Sequence, residues 1–430
     1  MIEDDRETLR SIAWSELFPW LLLFRCFRIS VRLRPLLVCA AAAVLTVAGW
    51  SLIATVFSAN AKVAAQIADC SGCCWNSLAS VAEPASFQGP LRPGRAWLPR
   101  SETSVAARDG NPVLGSWEHL SRPFRQIYTM NAGDPRASTL AYSLLCGLWG
   151  LFVWALAGAA VTRDAALQLA AGQRSDWAAI LAHVRRRWRA YFWAPLMPLI
   201  GILMAVACMA LLGIIMRLNL GVLLAGALWP MLLVAGLLSA LLLVGLLFGW
   251  PLMFATIGTE DTDSFDALSR TYAYVFQRPL HYLFYIAVAA AVGALGWLLV
   301  SGVAQAVVAI TLWATSLGSG GEFRLVGEPM PHLVYHFSNG APAAHLGWLG
   351  DLLIRFWCDC ARLVAVGYLY SYFWVSAAAI YLLLRRNVDD TELDEVHLDE
   401  EGSETFGLPE ISTDEAGAPV VGDQPPENGG

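Results

Sequence analysis

The sequence predicts an all-α fold: a polytopic membrane bundle of about six transmembrane helices, with amphipathic interfacial helices and a disordered tail. Three observations predict it. Hydrophobic residues make up 57% of the 430-residue chain and charged residues only 15%, against roughly a quarter charged in a soluble domain. Several uncharged runs reach the ~20 residues that a helix needs to cross a ~30 Å hydrocarbon core. A short amphipathic helix that feeds such a span occurs twice, as QRSDWAAILAHVRRRWRAYFWAP (173–195) and DSFDALSRTYAYVFQRPLHYLFY (263–285). Aligned at an offset of 88, Trp177 falls on Phe265, Ala179 on Ala267, Ile180 on Leu268 and Trp188 on Phe276.

Charge divides the chain. From Asn387 onward there are 14 acidic residues and no Lys or Arg. The remainder carries 28 basic and 21 acidic residues (35 less the tail's 14), and Lys62 is the only lysine. Residues 1–35 read as a cytoplasmic interfacial helix, 36–386 as a six-span membrane domain with outer loops at 58–138 and 318–360, and 387–430 as a disordered acidic cytoplasmic tail too polar to bury a core.

In chain order, Leu17, Leu21, Phe24, Phe27 and Val31 form an apolar stripe opposite Arg25, Arg28 and Arg32, the pattern of a helix lying at the headgroup level. The first span, 36–57, is about 22 residues long. A signal-peptide core is ~7–15 residues, so this span reads as an uncleaved anchor despite Ala59-Asn60-Ala61 behind it. The loop 58–138 shows little periodicity. The second span is 139–161. Trp177, Ile180, Leu181, Val184 and Trp188 then share a helix face, with Arg185, Arg186, Arg187 and Arg189 at its end. The third span, 191–216, carries Pro195 and Pro198. Residues 220–258 are apolar almost throughout, ~58 Å of helix at 1.5 Å per residue. No polar turn interrupts that run, which favours one long helix over a break at Trp229-Pro230. Asp263 is placed to cap the second amphipathic helix. The fifth span is 282–317. The sixth, 362–384, carries an aromatic belt of Tyr368, Tyr370, Tyr372, Phe373 and Trp374. The basic segments 25–34, 163–189, 270–278 and 385–386 all fall on one side if there are six spans, which places both termini in the cytoplasm.

The candidate chemistry is sparse. The spans show essentially no ionisable residues, which argues against an ion-coupled transporter; Gln305 is the clearest polar side chain at depth. Arg174, Arg185, Arg186, Arg187 and Arg189 form a lipid-headgroup face, and His183 beside them reads as a further headgroup contact. Cys70, Cys73, Cys74, Cys358 and Cys360, with His332 and His336, lie in the outer loops. On an oxidising face the thiols suit disulfides; the same residues are also candidate metal ligands by type. No nucleotide loop, nucleophile elbow or His-Glu-x-x-His motif occurs.

At DSFDALSRTYAYVFQRPL the chain resembles a group of uncharacterised multi-pass bacterial membrane proteins, and it is similar there to the membrane-anchor domain attached to some glycerophosphodiesterases. The resemblance covers residues 160–315 and implies architecture only, since no phosphodiesterase domain accompanies it.

The expected protein is therefore a non-enzymatic, multi-pass protein of the bacterial inner membrane with no cofactor. It would be a scaffold or accessory subunit that binds membrane lipids and, through the acidic tail, a cytoplasmic protein. Nucleic acid is not an expected partner. The alternatives are a permease or lipid-handling transporter with a polar cavity between spans, and an outer-face metal or thiol protein.

Overall fold

The aromatic run at 368–374 sets the architecture, and it does so from the inside. The computed structural model describes residues 18–57, 111–129, 137–170, 172, 176–217, 219–319, 321–326, 332–337, 348–391, 412–413 and 419–420. The described residues form nine α-helices: α1 (Leu22–Ser30, entered through the 3-10 turn Pro19–Leu21), α2 (Leu33–Phe57), α3 (Pro112–Thr129), α4 (Ala137–Ala170), α5 (Trp177–Ile215), α6 (Asn219–Glu260), α7 (Ser264–Gln277), α8 (Pro279–Ser319) and α9 (Trp348–Asp389). Six helices are long and apolar enough to cross a membrane. The expected all-α polytopic bundle is therefore the observed one.

The helix α9 is its centre. Of its most apolar window 89% is buried, against 6% for α6, so α6 faces lipid and α9 faces protein. The side chains expected as an interfacial belt are core instead. Tyr368, Tyr372 and Trp374 are fully buried. Their hydroxyls reach neighbouring backbones: Tyr372 donates to Ala289 O at 2.9 Å and Tyr368 to Gly293 O at 3.4 Å. Trp374 packs on Phe254 (ring centroids 4.6 Å apart), Trp250 (5.5 Å) and Trp154 (5.9 Å). Gly158 makes room for it, because a Cβ there would sit 2.8 Å from the Trp374 ring.

The two repeated units fold differently. The second is two helices, α7 and α8, broken at Arg278 (φ −131, ψ 56). The first is one helix, α5, that passes straight from amphipathic segment to span, so the separate surface helix expected there is not formed. The cause is local. Pro279 forces its predecessor out of the α region, whereas at the offset of 88 its equivalent is Tyr191, which continues the helix. Asp263 caps α7 as expected, its carboxylate accepting from Asp266 N at 2.8 Å. Asp176 caps α5 through Ala178 N at 3.2 Å.

Other expectations need correction. The helix α1 buries Leu22, Leu23, Cys26, Ile29 and Ser30 and exposes Phe24 and Val31, so it docks on α9 by a different face from the predicted stripe; Ser371 Oγ donates to Ser30 O at 3.1 Å. The outer loop 58–138 contains α3, which packs on the bundle: Trp117 Nε1 donates to Leu247 O at 3.1 Å. The second span runs on to Ala170 and so includes Arg163 and Asp164, both buried; the spans are not free of charge. The runs 220–258 and 282–317 lie within the single helices α6 and α8, the first as its missing polar turn suggested. The loop 318–360 holds an antiparallel hairpin, β1 (Gly321–Val326) on β2 (His332–Phe337), and the start of α9. The tail's first residues, 387–389, are the last of α9.

By internal contacts the chain divides at Val396. The second unit, His397–Gly430, shows one small pair among its described residues, β3 (Ser412–Thr413) on β4 (Pro419–Val420).

Candidate functional site

The helix α6 ends in a charged corner that organises one end of the bundle. Asp261 follows its last turn with φ +54, the left-handed conformation in which helices commonly stop and which Asp tolerates better than most residues. That geometry turns the carboxylate back toward α5. Arg187 grips it in a two-pronged pair, Nε to Oδ1 at 2.8 Å and Nη2 to Oδ2 at 3.0 Å. Arg186 adds a bond at 3.1 Å, and His183 Nδ1 lies 3.4 Å from Oδ1. Burial alone would raise the Asp261 carboxyl, but the hydrogen bond and charge of Arg187, with His183 and Arg186 behind it, hold it below the ordinary carboxylate range.

His183 is buried between two partners, its Nε2 standing 3.3 Å from the Tyr191 hydroxyl. The expectation of a headgroup contact at His183 is thus overturned. Tyr191 is itself fully buried against Gly258. A Cβ at Gly258 would lie 3.2 Å from Arg163 N and 3.3 Å from the Tyr191 hydroxyl. This close approach lets buried Arg163 donate to Gly258 O at 2.9 Å. An Asp–His–Tyr series suggests a relay, but its Asp is committed to two arginines and its Tyr is sealed in packing. The arrangement clamps α4, α5 and α6 together.

A second set adjoins it. Glu260 accepts from the Tyr381 hydroxyl at 2.5 Å and pairs with Arg270 and, at 3.7 Å, with Arg385. Arg270 also holds Asp266 at 3.1 Å. Burial opposes the Arg270 charge, yet Glu260 and Asp266 raise its pKa above the usual arginine value. Tyr274 donates to Asp389, Asn387 to the Tyr285 hydroxyl at 2.7 Å, and Arg32 to Gln168. The ends of α4, α5, α6, α7 and α9 are tied by this network.

The predicted headgroup arginines therefore separate. Arg186 and Arg187 face Asp261, while Arg185 and Arg189 are exposed; Arg189 lies over the Trp188 ring at 5.8 Å. Arg174, Cys70, Cys73 and Cys74 lie outside the described residues. Cys358 and Cys360 are part-buried free thiols on α9, and His332 and His336 fall on β2. Among the described residues no group of three or more His, Cys, Asp or Glu side chains could hold a metal ion. The corner was missed in the sequence because Asp261 lies 75 and 74 residues from Arg186 and Arg187; the one available signal was the Glu260-Asp261 pair ending a 39-residue apolar run.

A cavity of about 320 Å³ lies between α3, α4, α5 and α6. Its lining is apolar apart from Ser121, unlike the polar cavity expected of a permease or lipid-handling transporter.

Fold and charge together define a multi-pass helical membrane protein. Comparison with protein-family models, curated proteins and solved structures finds no match. Nothing in these comparisons bears on the resemblance expected at DSFDALSRTYAYVFQRPL.

Proposed function

We propose that this chain is an inner-membrane scaffold or accessory subunit that binds anionic lipid headgroups at the start of α5 and a cytoplasmic protein through its acidic tail. The observation that carries the reading is the division of the arginines. Arg186 and Arg187 are committed to Asp261, which fixes the helix, and this leaves Arg185 and Arg189 displayed one turn apart on the surface. Guanidinium groups so placed suit phosphates. A role in binding rather than catalysis fits a corner whose part-buried acids are already paired with bases.

The test is lipid retention by the purified full chain. Native mass spectrometry of wild type should find phosphatidylglycerol retained over phosphatidylcholine, and Arg185→Gln/Arg189→Gln should lose that preference with an unchanged melting midpoint. Equal retention by wild type and variant would remove the headgroup role. For the tail, pull-downs with and without residues 392–430 should differ by a basic partner; the cut is placed there because Arg385 still bonds Thr391 at 2.9 Å.

A further inference from the structure

We infer that α3 is an acid-released lid: a proton taken up by His119 frees the helix from its seat and opens the cavity between α3, α4, α5 and α6. Three observations carry this. First, α3 is one wall of that cavity, through Leu120, Ser121 and Phe124. Gly147 leaves the space that the Phe124 ring occupies, since a Cβ there would stand 2.8 Å from it. Asn111 Nδ2 donates to Ala290 O at 2.8 Å, Trp117 Nε1 to Leu247 O at 3.1 Å, and His119 Nδ1 lies 2.7 Å from the Tyr370 hydroxyl. Of these three ties, only the last titrates near neutral pH.

Second, the seat suits imidazole and opposes imidazolium. His119 Nε2 is buried with no hydrogen-bond partner among the described residues. A neutral ring leaves an unused lone pair there, whereas the cation must place an N–H with nothing to receive it. A buried charge so placed is costly. The surroundings do not offset it. From α9 the ring meets Tyr370, and from α2 the Trp50 ring at 5.1 Å; neither carries charge. Residues 147–154 of α4, 243–250 of α6 and 290–293 of α8, the stretches that meet α3, include no charged residue. On α3 itself Arg122 opposes a second cation, and Glu118 is exposed. The released helix binds the proton more readily, so release grows as pH falls.

Third, α3 is interrupted at the residue that switches. Pro123 lies inside the helix and offers no N–H to the His119 carbonyl. The turn that bears the lining residues is therefore tied less firmly to the turn before it.

The full chain, carrying Leu199→Cys, would be placed in phosphatidylglycerol–phosphatidylethanolamine nanodiscs; Leu199 lines the cavity and is only 6% exposed. Alkylation of that cysteine by N-ethylmaleimide would be read by peptide mass spectrometry. Dividing by the rate in the denatured chain at the same pH removes the thiolate dependence. The ratio should rise roughly tenfold or more from pH 7.5 to pH 5. The Asp261 carboxyl stays charged over this range, so Ala378→Cys, buried on α9, should keep a constant ratio. His119→Leu should hold the Leu199→Cys ratio flat, and so should His119→Gln, which keeps a hydrogen-bonding group for Tyr370 should the leucine variant fail to fold. A flat ratio with His119 intact, an equal rise at Ala378→Cys, or an undiminished rise in a folded His119 variant would each overturn the proposal.

Discussion

Asp261 combines a strained backbone with a concentrated set of charges, and the two can be separated by substitution. Asn tolerates the left-handed conformation about as well as Asp, so Asp261→Asn removes charge and leaves the turn. Arg186 and Arg187 are 52% and 34% exposed on their side chains, so solvent screens part of the attraction. The expected cost is about 1–2 kcal/mol, between an exposed and a buried pair, read as a lower melting midpoint in detergent. The sign with pH follows from the depressed carboxyl. Its contribution is complete above the ordinary carboxylate pKa of ~4 and is lost as pH falls through the lower folded value. Wild type should destabilise steeply on the acid side, and Asp261→Asn less so; parallel acid limbs would show that Asp261 is not the group titrating. Gly158 gives a second residue-scale prediction. Its Cβ would meet the Trp374 indole, a ring held on three sides, so Gly158→Ala should cost about 1–3 kcal/mol by overpacking.

Among the elements, α3 carries one part-buried titratable group against the bundle. His119 lies within it, Nδ1 at 2.7 Å from the Tyr370 hydroxyl and Nε2 with no partner among the described residues. Burial, aided by Arg122, lowers its pKa to about 4. An unfolded or undocked histidine titrates near ~6.5, so between those values the undocked state binds the extra proton. Docking is therefore fully stable above that range and weakens as pH falls through it. Protection factors across 112–124, taken against the intrinsic exchange rate at each pH, should fall between pH 7 and pH 5, ahead of the rest of the bundle, and His119→Leu should abolish the fall. The helix itself was missed: Val113, Trp117, Leu120 and Phe124 recur at helical spacing, but the Pro and Gly around them hid that short pattern in a loop with little periodicity as a whole. The break between α7 and α8 was legible, from Arg278-Pro279. What the repeat could not reveal is that its two copies part company at that proline. Residue matches at the offset of 88 compare side chains, whereas the break depends on a ring at 279 that Tyr191 lacks.

At the scale of the whole molecule, span number was legible because hydropathy is a local property. The central position of α9 was not, because aromatic residues near a span end suit an interface or a core equally, and only packing decides. The charged corner was hidden for the same reason, being assembled from ends of helices distant in sequence. Yet that corner now supplies the strongest argument about orientation. Arg186, Arg187, Arg270 and Arg385 are linked through the adjacent acids Glu260 and Asp261, so these arginines stand at one end of the bundle rather than merely in loops of matching parity. Basic residues beside spans are retained on the cytoplasmic side. Six spans return the chain to the side on which it began, so Thr391 and the residues preceding α1 should both face the cytoplasm, with the β1–β2 hairpin outside. A phosphatase reporter active only beyond the inner membrane should be silent when fused after Thr391 and active when inserted between β1 and β2. The reverse pattern would place the arginine corner outside and remove the cytoplasmic tail partner.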